Sequence, residues 1–221
     1  DNKMIFGKSK ENDECFDTLL FACRDIKHIK VPSCIKYISP YCFSDCKNIE
    51  SIVFEENSEL ISLGNNSFSN SSIEHISIPQ SVEKIGKSSF FCCENLKTIE
   101  FNKNSRIVSI EDKTFMKSSL QKISIPDSVT IIKKQSFSYC SQLTDVIIFK
   151  SSKLELIERQ SFEFSAINEI RLPARIKQIG PKAFYCCQYL QKLDFSDDSE
   201  LISIEDNAFT QTSIYEIILP K

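Results

Sequence analysis

The sequence predicts an α/β solenoid: a right-handed coil whose turns each lay one strand into a parallel sheet and return through short turns or helical steps. Three observations carry that reading. Prolines that close an Ile-x-Ile-Pro step fall at Pro32, Pro79, Pro126, Pro173 and Pro220, each 47 residues after the last. Phenylalanines at Phe21, Phe43, Phe68, Phe90, Phe115, Phe137, Phe162, Phe184 and Phe209 are separated alternately by 22 and 25 residues, so two half-repeats make one period. Between successive phenylalanines lies a short segment of alternating large apolar residues, the pattern of a strand with one face inward.

Taken in order, residues 1–20 are the least regular and read as a degenerate N-terminal coil or cap. Met4 to Phe6 resembles a strand, and the charged run from Lys8 to Glu14 suits a solvated end that keeps apolar surface covered. Residues 21–221 form one solenoid domain in the 47-residue double period. One set of coils carries Ile73, Ile76, Ile78; Leu120, Ile123, Ile125; Ile167, Ile170, Leu172; and Ile214, Ile217, Leu219. The intervening set carries Ile49, Ile52, Phe54; Leu96, Ile99, Phe101; Leu143, Val146, Ile148; and Leu190, Leu193, Phe195. A 20 to 29 residue spacing with such a segment is the signature of a leucine-rich solenoid, in which no coil buries its apolar side alone. The return segments, such as Ser81 to Cys93, add a second apolar pair (Val82 and Ile85) and then the Phe. Every repeated Phe is expected in the core, where burying one stabilises by about 1.5 to 3 kcal/mol.

The motif Ile-Pro-x-Ser-Val-x-x-Ile-Gly-x-x-Ser-Phe-x-x-Cys, most complete from Ile78 to Phe101, closely resembles the BspA-like leucine-rich repeats. Pro, Phe and Cys recur together at fixed offsets over about nine-tenths of the chain, and Gly86 and Gly180 keep the family glycine where Ser39 and Lys133 replace it. The resemblance implies a surface antigen of the kind found on parasitic protists and host-associated bacteria. It also implies display at the cell surface or secretion, with adhesion to host cell-surface or extracellular-matrix proteins.

Composition narrows the alternatives. A net charge of −3 and a pI near 5.6 argue against a general electrostatic grip on nucleic acid or anionic membrane. No apolar run approaches the roughly 20 residues of a membrane helix, so this segment is not expected to insert. Four glycines leave no phosphate-cradling loop, and neither Gly-x-Ser-x-Gly nor His-Glu-x-x-His occurs. Paired acids such as Glu55 with Glu56 and Asp197 with Asp198 follow the repeat and read as solvated turns. The chain is therefore expected to be non-catalytic, without metal or cofactor.

The ten cysteines resist a disulfide framework. Cys46, Cys93, Cys140 and Cys187 are again 47 apart, with Ser71, Ser118, Ser165 and Thr212 at the equivalent sites between them. Ladder cysteines two coils apart stand roughly 9 to 10 Å from each other, beyond the ~7 Å limit for a bridge, and should be buried thiols. Cys92 and Cys186 are four coils apart. Cys15, Cys23, Cys34 and Cys42 crowd into the first coils, where a Cys23–Cys46 bridge is conceivable and would imply an oxidising compartment. His28 and His75, also 47 apart, occupy equivalent strand positions and read as exposed polar surface. Asn65 and Asn70 begin Asn-x-Ser sequons, candidate glycosylation sites in a chain rich enough in Asn and Ser to produce such triplets by chance.

Outward strand residues vary from coil to coil while the core repeats: His28, Lys30; Ser51, Val53; Lys192, Asp194; and Glu216, Ile218 toward the ends. In the centre a partner-binding strip on the concave face is predicted from His75, Ser77, Thr98, Glu100, Lys122, Ser124, Asp145, Ile147, Phe149, Glu169 and Arg171. Plain solvent exposure would give the same pattern. The leading expectation is a protein-binding module for adhesion or recognition; the alternative is an intracellular scaffold using the same face. A third is self-association through an unpaired C-terminal edge, Glu216 to Leu219.

Overall fold

The computed structural model describes residues 3–11 and 15–218. Leu219 and Pro220, predicted to end the last strand, and residues 12–14 of the charged run lie outside the described residues. Parallel strands wind into a β-solenoid with two strand walls, where one was expected. The first wall holds the longer strands His28–Val31, Ser51–Phe54, His75–Ile78, Thr98–Phe101, Lys122–Ser124, Asp145–Ile147, Glu169–Leu172, Lys192–Phe195 and Glu216–Ile218. The second is made of two-residue strands such as Tyr37–Ile38, Lys84–Ile85, Ile131–Ile132 and Gln178–Ile179, each pairing in parallel with the equivalent strand of an adjacent coil. These strands are the Val82/Ile85 segments of the return path, too short for alternation to reveal them.

At the N-terminal end Met4–Gly7 pairs antiparallel with Thr18–Ala22, which in turn pairs in parallel with Tyr37–Ile38. This hairpin covers the first coil, and it crosses the boundary drawn at residue 20.

Alternation is observed as predicted: in His75–Ile78, Ile76 and Ile78 are buried while His75 and Ser77 are exposed. The core runs the length of the coil, with Phe43, Phe68, Phe90, Phe115, Phe137, Phe162 and Phe184 fully buried. Together with the partly buried Phe209 they form one column, ring centroids 4.8 to 5.4 Å apart and planes within 17° of parallel. Each contact adds about 0.5 to 1.5 kcal/mol beyond area burial. The column has eight members, because Phe21, expected as a ninth, lies 38% exposed in the capping strand with the Arg24 guanidinium 4.8 Å from its ring centre. Its strand is the second arm of the hairpin, and pairing with Met4–Gly7 leaves the side chain outside the column.

The α part of the predicted class is a correction. No helix forms among the described residues. Around every column Phe the chain instead takes tight turns with left-handed residues two before and two after it: Tyr41 and Asp45 about Phe43, Lys113 and Lys117 about Phe115, Lys182 and Cys186 about Phe184. Eight such pairs account for all the described non-glycine residues with positive φ except Asn57, and no described glycine has positive φ. The left-handed form costs an ordinary residue roughly 1 to 2 kcal/mol. It is offset because the alternation aims every second N–H at the next coil. Tyr41, Phe43 and Asp45 donate to the carbonyls of Asn65, Ser67 and Ser69 at 3.1, 2.7 and 2.9 Å. Cys42, Ser44 and Cys46 meanwhile donate back within their own turns to Ser39, Tyr41 and Phe43. A helix would direct all its N–H groups along its own axis and leave the coils unlinked at this wall.

Small residues precede each Phe because the neighbouring coil is close. Cys42, Ser67, Ser89, Thr114, Ser136, Ser161, Ala183 and Ala208 are all buried. Ser89, Thr114 and Ser161 donate to carbonyls three residues back, whereas the Ser67 and Ser136 hydroxyls find no partner and two coils use Ala. Size, not hydrogen bonding, selects the residue here. At the glycine position a Cβ on Gly64 would lie 2.4 Å from the Pro40 nitrogen. Lys133, at the same position, reaches back 2.6 Å to Glu111, the most buried ion pair in the described residues. Burial opposes ionisation of Glu111, but hydrogen bonds from Lys133 and Ser109 outweigh it and hold the carboxyl below its usual range.

Replacing Phe137 by Ala removes a ring stacked 5.3 and 5.0 Å from its two neighbours, and should cost about 3 to 5 kcal/mol. Phe21→Ala should cost about 1 kcal/mol or less, as for other partly exposed sites. Chemical denaturation of both variants checks the contrast; equal costs would contradict the column.

Candidate functional site

The predicted strip assembles on the outer face of the long wall. One row of side chains runs His28, Ser51, His75, Thr98, Lys122, Asp145, Glu169, Lys192, Glu216, each a register partner of the next except at Ser51 and His75. A second row runs Lys30, Val53, Ser77, Glu100, Ser124, Ile147, Arg171, Asp194, Ile218. Period-two alternation places both rows outward. His75, Ser77, Thr98, Glu100, Lys122, Asp145, Glu169 and Arg171 are exposed, Ser124 and Ile147 half-buried, and Phe149 is 52% exposed just past its strand.

The wall is not uniformly zipped. His75–Ile78 pairs with Thr98–Phe101 over four residues, but Thr98 and Lys122 are the only partners across the next seam, as are Asp145 and Glu169 further on. Ser51–Phe54 and His75–Ile78 belong to separate sheets. Depressions open along these seams and at the cap. One of about 670 Å³ is bounded by Val53, His75, Ser77, Pro79 and Arg106, one of about 590 Å³ by Met4, His28, Lys30 and Val53, and one of about 310 Å³ by Ile147, Glu169, Arg171 and Asp194. Arg106 and Met4 were not anticipated: they reach the face from a return segment and from the cap, outside the repeat's strand positions.

Charge on this face is largely settled within it. Glu50 takes Lys27 at 2.9 Å and His28 at 3.5 Å; Lys30 meets Glu55 at 2.9 Å; Arg171 meets Asp194 at 3.4 Å; Lys192 meets Glu216 at 3.2 Å. His75 bonds the Thr98 hydroxyl at 2.7 Å and Ser77 at 3.2 Å, and Ser77 donates to Glu100 at 3.1 Å. Exposed pairs of this kind contribute about 0 to 1 kcal/mol each. The centre differs. Among the described residues Lys122, Asp145 and Glu169 make no ion pair, and Asp145 and Glu169 stand directly opposite each other, an unfavourable like-charge pairing.

The two histidines occupy equivalent places on separate strands. Among the described residues, no three His, Cys, Asp or Glu side chains come together in a way that could hold a metal ion. Asn65 and Asn70 lie on the turn wall, away from the strip. Asn65 is exposed and accepts the Lys87 N–H through Oδ1 at 2.9 Å; Asn70 is half-buried and left-handed.

All ten cysteines are free, including Cys23 and Cys46; Cys46 instead contacts the Cys23 carbonyl at 3.9 Å and Arg24 at 3.6 Å. The predicted thiol ladder has a function in packing. Cys93, Cys140 and Cys187 each donate at 3.0 Å to the carbonyl of the Phe one coil back, Phe68, Phe115 and Phe162. Ser71, Ser118 and Ser165 approach the same sulfurs at 3.6, 3.5 and 3.3 Å. Burial pushes Cys93 up to about 12 and Cys140 and Cys187 up to about 11.

Stacked parallel coils, a repeated apolar strand segment and an outward face that varies define a leucine-rich repeat protein. The BspA type leucine rich repeat region matches residues 13–109 and 108–221 in six copies, and the chain belongs to that family. Solved structures share the fold. A leucine-rich repeat protein of Treponema pallidum superimposes with a TM-score of 0.61 at 20% identity, covering 92% of this chain and 81% of that one. A Bacteroides ovatus leucine-rich repeat protein gives 0.58 at 16%, covering 99% and 87%. The pneumococcal vaccine antigen PcpA gives 0.58 at 24%, covering 88% of this chain and 51% of PcpA. No curated protein matches this sequence. No helix among the described residues is long and apolar enough to cross a membrane.

A thiol reagent at neutral pH should label exposed Cys15 and Cys34 in the native protein and leave Cys93, Cys140 and Cys187 untouched until denaturant is added. Mass spectrometry of the labelled peptides reads the order. Ladder thiols reacting as fast as Cys15 would contradict their burial.

Proposed function

We propose that this chain is a non-catalytic protein-binding module displayed at a cell surface, gripping a host or matrix protein through the outer face of its long wall. The observation that carries the reading is the unpaired centre of that face. Lys122, Asp145 and Glu169 have no ion-pair partners of their own, beside apolar Ile147 and exposed Phe149 and the depression at Arg171. A partner bringing a basic side chain would relieve the Asp145–Glu169 opposition, and Phe149 supplies the aromatic anchor that interface cores favour. The scaffold stays fixed while these positions change, so recognition is separable from folding. Leucine-rich repeat families are generally non-catalytic, and relatives of this fold include a vaccine antigen and a leucine rich cell surface protein of Faecalibacterium prausnitzii. Glycans at Asn65 and Asn70 would face away from the gripping surface.

One observation favours a second reading. Ten free thiols suit a reducing compartment, where the same face would serve an intracellular scaffold.

Antibody labelling of intact against permeabilised source cells separates the two. Labelling without permeabilisation is expected; labelling confined to permeabilised cells would overturn surface display. For the gripping face, Asp145→Lys combined with Glu169→Lys should weaken capture of a host or matrix protein at least tenfold in a surface-binding assay. The denaturation midpoint should move by no more than the equivalent of about 1 kcal/mol. Unchanged capture would remove the centre of the strip from the site.

A further inference from the structure

The turn wall, on which no binding site was predicted, carries a surface of different character. Tyr139 and Phe164, left-handed residues two places after their column phenylalanines, stack on the outside with centroids 4.8 Å apart. Tyr185 meets Phe164 edge-on at 5.9 Å. Tyr139 and Phe164 are 43% and 38% exposed and nearby Tyr189 is 63% exposed. Phe164, Ala166, Cys186 and Tyr189 line a notch of about 150 Å³. That is below the usual size of a small-molecule pocket and suits a single side chain.

Cations surround this ridge. Lys117 stands 5.9 Å from the Tyr139 ring centre and Lys182 stands 5.2 Å from that of Tyr185. Lys113, Lys134 and Arg159 lie on the turns of the same coils, and all but half-buried Lys182 are exposed. Among the described residues none of these five makes an ion pair, whereas most cations of the long wall do. The acids nearby are mostly engaged elsewhere. Asp112 is taken by Lys87 at 2.8 Å, Glu158, beside Arg159, accepts the Lys134 backbone N–H at 2.9 Å, Glu163 is buried and bonded by Gln160 at 2.8 Å, and Asp206 lies one coil beyond Lys182. A chain of net charge −3 thus gathers, on the wall that carries these exposed aromatic rings, five cations that form no ion pair among the described residues.

We propose that this basic aromatic ridge is a second docking surface, taking an acidic polypeptide segment with one apolar side chain lodged between Phe164 and Tyr189. Its carboxylates would lie over Lys117, Arg159 and Lys182. Three coil steps separate Lys117 from Lys182, roughly 15 Å at the strand spacing, a distance about five extended residues cover. The apolar notch favours a polypeptide over a sulfated glycan, because an amino-acid chain supplies carboxylates and an apolar anchor together. Tyr, Arg and Phe are also the residues that carry binding energy at protein interfaces. The site shares no residue with the strip on the long wall.

Fluorescence anisotropy with a labelled peptide Asp-Glu-Asp-Leu-Glu-Asp-Glu-Asp tests it on the full chain. Saturable, salt-sensitive binding is expected. Arg159→Glu with Lys182→Glu should weaken it at least tenfold, and Phe164→Ser should weaken it severalfold, matched by replacing the peptide's Leu with Gly. Asp145→Lys with Glu169→Lys on the long wall should not weaken it. Circular dichroism verifies that each variant is folded. Absence of saturable binding, or binding that ignores both Phe164→Ser and the Leu-to-Gly peptide, would overturn the proposal. So would a heparin fragment that binds the ridge where the peptide does not.

Discussion

A coil of this solenoid has no inside of its own, so everything depends on what one coil offers the next. Three devices meet that need at three places on the circumference. Strand ladders join the coils at two walls, and the Phe column fills the space between them. The third wall has neither strands nor helix, and there the left-handed residues are decisive. They convert a turn that would satisfy itself into one that donates alternate N–H groups outward, as Tyr41, Phe43 and Asp45 do to the following coil. The backbone cost of roughly 1 to 2 kcal/mol per residue is comparable with the 0.5 to 1.5 kcal/mol returned by a hydrogen bond. Burial of the Phe held between the two left-handed residues tips the balance. Turn and column are therefore one device: the turn positions the ring, and the ring stabilises the turn.

This coupling explains which features could be read from the sequence. Period-two alternation at Ile76 and Ile78, and a Phe every 22 or 25 residues, are direct imprints of burial, and both are legible. The left-handed turns leave no such imprint. Their usual markers are Gly, Asn and Asp, but here Lys113, Gln135, Phe164 and Cys186 adopt the conformation because neighbouring coils enforce it. Expecting a helical step was the natural error, since local propensity is neutral and the deciding bonds run between coils. Phe21 failed for the same reason in reverse. Its spacing matches the column, but the cap pairs its strand differently, and spacing carries no information about the partner strand. The outward strip was legible as a set of positions, whereas its seams and the ridge at Tyr139 and Phe164 depend on ladder splay and on turn geometry that only the fold reveals.

The Cys and Ser ladder shows how a residue can recur strictly without reacting. Cys93, Cys140 and Cys187 bond carbonyls one coil back, and the hydroxyl residues of intervening coils approach the same sulfurs. A weak donor of small volume is sufficient there, which is why Cys and Ser share the site. The same burial that makes these thiols useful in packing raises their ionisation range to about 11 or 12 and removes them from redox chemistry at neutral pH. Their freedom from disulfides is thus a property of the core.

The two outer walls differ in how far their charges are spoken for, and that difference follows from geometry. Side chains on the long wall stand about one strand spacing from those of the next coil, within reach of one another, so several opposite charges on successive coils pair: Lys30 with Glu55, Arg171 with Asp194, Lys192 with Glu216. At the centre of the face they do not: Lys122 stands opposite Asp145 and Glu169 opposite Lys192 without an ion pair, and the like charges Asp145 and Glu169 fall in register. On the turn wall, Lys113, Lys117 and Lys182 leave left-handed backbone, with Lys134 and Arg159 beside them on the turns; Lys117 and Lys182 stand over aromatic rings, and among the described residues none of the five forms an ion pair. Neither region contributes to the column or to the ladders beneath it. Both can change from coil to coil without loss of the fold, which is the physical condition a repeat protein needs if it is to bind more than one partner on a single rigid frame.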